Sequence, residues 1–231
     1  MIGIIGGMSE QSTAIYYKRL NEQSRFRRGG LCQVPCILWS FDFDEIVQLQ
    51  SKGEWEQLGT KLADAAQKLV AAGAECIVLA TNTMHKVADV IASAIKVPFI
   101  HVADVVADAI KKAGFSKPVL LATCYTMEQD FYISHLRACG LDVRVPEESE
   151  RREIHRIIFD ELCKGIVKPE SKKSYLAIIE RMQNEGADCV ILGCTEIGML
   201  LKQDDAPLEL FDTAFLHADA ALDWSMMSKA A

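Results

Sequence analysis

One short stretch carries the side chains most suited to chemistry. Gly186-Ala-Asp-Cys-Val-Ile-Leu-Gly-Cys194-Thr195-Glu196 is an apolar run that ends in a thiol, a hydroxyl and a carboxylate. A thiol can take a proton from carbon and return it once its own proton is lost, and a helix start at Thr195 would favour that loss. A small buried hydrophobe is the plainer reading of any free cysteine. Here the context argues against it. The same pattern occurs as Gly73-Ala-Glu-Cys-Ile-Val-Leu-Ala-Thr81-Asn82-Thr83, aligned without a gap at a constant offset of 113 residues, so that Cys194 falls on Thr81. Two related halves are implied, each ending a strand in one small reactive-type side chain. Asn82-Thr83 and Thr195-Glu196 then stand at helix starts, where such residues cap the backbone and where N–H groups and hydroxyls can also cradle a carboxylate.

The elements that position these residues are read from periodicity. Residues 2–6, 35–41, 75–80, 97–100, 118–122, 142–145, 188–193 and 207–211 read as strands. Helical patterns fill most of the intervals, among them 54–72, with Leu58, Leu62, Ala65 and Leu69 on one face, and 213–228 at the end. A second internal match sets the region from Val119 to Leu136 against Gly3 to Leu20 at an offset close to the first. Strands alternating with helices predict an α/β fold of two similar lobes, with largely parallel sheets flanked by helices. The lobes are expected to be related by a pseudo-two-fold, with residues 1–97 and 209–231 in one and 98–208 in the other. Ligands of parallel sheets bind at the carboxyl ends of strands, so the active site is expected in the cleft between the lobes. Thr81 and Cys194 would then address one ligand from opposite sides.

Composition narrows the function classes. The chain has 231 residues and a net charge of −7, which argues against a general nucleic-acid surface. Apolar runs fall short of the roughly 20 residues that span a bilayer. The first residues show neither a basic n-region nor a cleavage pattern, so the expected location is cytoplasmic and the eight cysteines are expected as free thiols. Their spacing lacks metal-site grammar, so no metal is expected. Gly3-Ile-Ile-Gly6-Gly7-Met8 does not match the dinucleotide loop, which speaks against a nicotinamide cofactor. His85, one turn into its helix, reads as a local structural residue. Lys164 reads either as a favourable charge at a helix end or as a cation for a second substrate carboxylate.

Gly6-Gly7-Met8-Ser9 with Ser12-Thr13, Thr81-Asn82-Thr83-Met84-His85 and Gly193-Cys194-Thr195-Glu196 resemble the aspartate/glutamate racemase family over essentially the whole chain. The resemblance implies two α/β lobes and a cofactor-independent exchange of the α-proton of an acidic amino acid, the small-molecule substrate. It implies a homodimer with neither a nucleic-acid nor a membrane partner. Thr81 and Cys194 occupy the two catalytic positions. Asn82, Thr83, Thr123 and Thr195 fall where the family binds substrate carboxylate and amine. Lys164 matches a basic residue associated with the side-chain carboxylate, and Met8 lies at the pocket-lining turn.

The chain departs from the family at Thr81, where typical members carry a second cysteine. A threonine hydroxyl is far too weak an acid to serve as the base, so it is left to relay a proton or position water. A strong preference for one enantiomer is the expected consequence, and the resemblance to members with a Thr/Cys pair implies that it is the L-form. Two other readings compete with a racemase. One is a decarboxylase or isomerase of a small dicarboxylate on the same fold, and the other is a catalytically silent amino-acid-binding protein.

Overall fold

Buried, unbroken apolar runs dictate the architecture. Strands covered on both faces lose the alternation of a half-exposed sheet and read as continuous Val, Ile and Leu. Ile2–Gly6, Cys76–Leu79, Pro118–Leu121 and Cys189–Leu192 are buried at every position. The computed structural model describes residues 1–227, and residue 228 of the expected closing helix lies outside them. The chain divides into two compact units, Met1–Val102 with the chain from His217, and Ala103–Leu216.

The first unit contains β1 (Ile2–Gly6), α1 (Glu10–Arg28), β2 (Cys36–Ser40), α2 (Phe43–Ser51), α3 (Trp55–Ala71), β3 (Cys76–Leu79), α4 (Ala88–Ser93) and β4 (Phe99–Ile100). Its sheet has the order β2-β1-β3-β4 and is parallel throughout. The stripe Leu58, Leu62, Ala66 and Leu69 of α3 packs with Ile5, Ile77 and Leu79 of the sheet and with Ile46 of α2. Each such Leu or Ile gains about 2 kcal/mol from leaving water. Helix α2 is absent from the periodicity reading; its start is held by Asp42, whose carboxylate accepts the Asp44 N–H at 3.1 Å.

The second unit follows as α5 (Val102–Lys112), β5 (Pro118–Leu121), α6 (Cys124–Glu128), α7 (Asp130–Ala138), α8 (Glu148–Asp160), α9 (Pro169–Asn184), β6 (Cys189–Leu192), α10 (Ile197–Leu200), β7 (Glu209–Asp212) and α11 (Thr213–Met227), the last running on past His217 into the first unit. Its sheet is parallel in the order β5-β6-β7. Residues 142–145, expected as a strand, contribute only a bridge between Arg144 and Val119. The unit boundaries follow the pairing: β4 bonds to β3 and β7 to β6, so the chain crosses at Val102/Ala103 and Leu216/His217.

The internal repeat has a structural counterpart. Ile2 pairs with Cys76 in the first sheet, and the repeat-equivalent Pro118 pairs with Cys189 in the second. Gly73 and Gly186 both turn the chain into these strands with positive φ, 101° and 93°. A side chain there would be strained, which explains glycine in both copies.

Candidate active site

Each unit gathers one cluster at the carboxyl ends of its buried strands. In the first, the turn after β1 is built on glycine. Gly7 has φ 80°, and a Cβ on it would strike the backbone of Phe41. Ser9 caps α1 and accepts the Ser12 N–H at 3.3 Å. Thr13 Oγ1 accepts the Gly7 N–H and donates to Ser9 O, both at 2.8 Å. Ser12 Oγ donates to Ala80 O at 2.6 Å, which ties this turn to the end of β3. Met8 is buried in the adjoining core.

Thr81 follows β3 and retains part of its surface, while Asn82, which precedes the next 3-10 turn, and Thr83, which opens it, are buried. His85 lies in that turn. Its Nδ1 is 2.8 Å from Thr81 O, and its Nε2 is 3.3 Å from Val102 N. An amide can only donate and a carbonyl can only accept, so the ring is neutral with its proton on Nδ1. His85 therefore holds the backbone of Thr81, the structural part read for it from the sequence. The rings of Phe99, His101 and His217 stand 5.7, 4.7 and 5.9 Å from it.

In the second unit, Thr123 ends the β5 side and caps α6, accepting the Thr126 N–H at 3.4 Å. Cys194 ends the β6 side. Gly193, just before it, allows the two strands to close up: a Cβ there would stand 2.5 Å from Leu120 Cδ1 and 3.0 Å from Ala122 Cβ. Cys194 Sγ donates to Glu196 Oε2 at 2.9 Å, and Thr195 Oγ1 donates to the same oxygen at 2.7 Å. Cys163 Sγ reaches the other oxygen, Oε1, at 3.7 Å. Lys164, next to Cys163, is exposed at the end of the 3-10 turn Leu162–Lys164.

This arrangement corrects one expectation. No helix begins at Thr195; the helix starts at Ile197 and is only four residues long. Cys194 accordingly is held well above the usual thiol range. Burial is the largest cause, followed by the negative charge of Glu196, the nearby Cys163 and the hydrogen bond to the Glu196 carboxylate. The Glu196 backbone N–H acts in the opposite direction and is outweighed. The resting group is a thiol bonded to a carboxylate, which is a proton donor paired with its acceptor.

The site residues expected from sequence thus fall into two groups. Met8, Thr81, Asn82 and Thr83 share one unit, and Thr123, Lys164, Cys194 and Thr195 share the other. The sequence pattern singles out Glu196 only as part of its motif and gives no sign that Cys163 reaches it. The signal for Glu196 was its place two residues after the thiol.

Residues 5–221 match the family described as Asp/Glu/Hydantoin racemase. The chain belongs to that family. It is an isomerase of the racemase class. A candidate Asp/Glu racemase from Yersinia pestis is 45% identical, with a TM-score of 0.90 over 97% of this chain and 98% of that one. An aspartate racemase homologue from Pyrococcus horikoshii OT3 is 39% identical, with a TM-score of 0.84 over the same shares. The broad specificity amino-acid racemase RacX of Bacillus subtilis (strain 168) is 22% identical, over 93% of both chains. Among the described residues, no helix of this racemase-family chain is long and apolar enough to cross a membrane.

Proposed function

We propose that the protein interconverts the enantiomers of an acidic amino acid, aspartate or glutamate, without a cofactor. The observation that carries this reading is the bond from Cys194 Sγ to Glu196 Oε2 at 2.9 Å, at the end of a fully buried strand. Cys194 passes its proton to Glu196 and, as thiolate, takes the α-proton of the substrate. The carbanion takes a proton from water on the Thr81 side, and the proton held on Glu196 neutralises the hydroxide left behind, which restores the thiol and the carboxylate for the next turnover. Thr195 and Thr123, with the backbone N–H groups around them, hold a substrate carboxylate on the Cys194 side. Asn82 and Thr83 complete the site for the carboxylate and the amine beside Thr81, Met8 lines the site, and Lys164 meets the side-chain carboxylate.

Thr81 acts at the opposite face of the α-carbon, where its hydroxyl relays a proton or orients water. Only the Cys194 face has a competent base, so one enantiomer is preferred, and the likeness to Thr/Cys members of the family makes the L-form the expected one. The similarity to an aspartate racemase homologue over nearly the whole chain supports the substrate class. The same reading takes the protein to be a cytoplasmic homodimer.

Exchange of the α-proton in D₂O, followed by NMR with each enantiomer of aspartate and glutamate, tests it. Exchange with an L-substrate is expected, and its loss in Cys194→Ala. The Thr81→Cys variant is expected to accept the other enantiomer; an unchanged preference would rule out this origin of the asymmetry. Binding of all four without exchange would point instead to a silent amino-acid-binding protein.

A further inference from the structure

Cys163 is a thiol to which the reaction described above gives no task. It is partly buried, in the 3-10 turn between α8 and α9. Its sulfur bonds Glu196 Oε1, while that of Cys194 bonds Oε2, so one buried carboxylate joins two thiols. The third donor, Thr195, is buried and shares Oε2. Tyr175 is fully buried, and its hydroxyl is directed to Ile154 O at 3.4 Å. Cys163 retains part of its surface and so offers the buried carboxylate a way outward. Every residue from Lys164 to Glu170, immediately after it, is exposed.

We propose that Cys163 is the outlet of a proton chain, Cys194–Glu196–Cys163, through which hydrogen taken from the α-carbon exchanges with solvent. The chain rests on the reading of Cys194 as the base. Each step transfers one proton between named atoms. Cys194 S–H gives its proton to Oε2 of the ionised Glu196 and becomes thiolate. Rotation of the protonated carboxyl about Cγ–Cδ brings the proton to the Cys163 side. Cys163 releases its own proton to water and takes this one, which restores the carboxylate and the second thiol. The reverse sequence brings a solvent proton in. Only S–H and O–H bonds change, and no oxidant or reductant is involved.

The test uses α-deuterated L-aspartate and L-glutamate in H₂O with the wild type, Cys163→Ala and Cys163→Ser. NMR follows deuterium loss from the remaining substrate against formation of the other enantiomer. A merely structural role for Cys163 would slow both together and leave their ratio unchanged. The relay predicts that Cys163→Ala lowers the ratio of deuterium loss to racemisation by about 100-fold, the low end of what a positioned proton-transfer group contributes. The hydroxyl of Cys163→Ser restores it to within about threefold. An unchanged ratio in Cys163→Ala, with normal exchange in the wild type, overturns the relay and leaves the racemase reading standing. Absence of exchange in the wild type with either substrate overturns both.

Discussion

His85 Nδ1 donates to the carbonyl oxygen of Thr81 at 2.8 Å, so an imidazole four residues downstream fixes the backbone of Thr81 at the end of β3. Its other nitrogen takes the Val102 N–H, leaving the ring with no spare function as a base. Truncation to His85→Ala strands a carbonyl and an amide in a buried site, at a cost of about 1–3 kcal/mol for each unsatisfied group. His85→Asn returns a donor near the Nδ1 position. Chemical denaturation is expected to show His85→Ala clearly destabilised, with partial recovery in His85→Asn. The pH dependence of turnover should be the same in both. A shift of the pH profile would mean that His85 titrates in the reaction.

Glu196 should control the acidity of Cys194. Its charge and its hydrogen bond both keep the thiol protonated. Replacing the carboxylate by an amide in Glu196→Gln removes the charge, so the folded-state thiol pKa falls. The rate of alkylation at Cys194, obtained as the difference from Cys194→Ala, is expected to rise at lower pH than in the wild type. Turnover is expected to fall by about 100-fold, since the amide cannot accept the proton. Alkylation that moves to higher pH would contradict this account of the site.

His217 links stability to acid. It is fully buried, with Tyr16 Oη 2.8 Å from Nδ1 and Ile100 O 2.8 Å from Nε2. Burial is the main cause that lowers its pKa from 6.5 to about 4. The unfolded chain therefore binds a proton that the folded chain refuses between these values. Stability from this residue is full above pH 6.5 and is lost as the pH falls towards about 4, by on the order of 3 kcal/mol. Urea denaturation from pH 7 to pH 4 should show a steeper loss in the wild type than in His217→Gln. Equal slopes would show that other groups dominate the acid response.

Repetition made much of this legible from sequence. Gly73-Ala-Glu-Cys and Gly186-Ala-Asp-Cys announce the same turn-and-strand unit, and the two strands pair with β1 and β5 in equivalent register. Buried strands of a parallel sheet have few other compositions open to them, so their positions were clear. The resting state of Cys194 was not. It depends on where the Glu196 side chain turns, on Cys163 arriving from a distant helix end, and on a helix too short to bias a thiol. The 142–145 segment misled for a related reason. Val143 is buried, but backbone pairing is limited to one bridge.

Strand β3 has a hydrogen-bonded neighbour on each side, β1 and β4, and so does β6, between β5 and β7. Thr81 and Cys194 emerge from strands locked along both edges. A slip of one residue would turn either side chain to the opposite face of its sheet and expose a wholly apolar strand to the wrong packing. The placement of Thr81 and Cys194 is thus a digital property of strand alignment. Gradual softening of the surrounding loops would leave it intact until an entire ladder lets go.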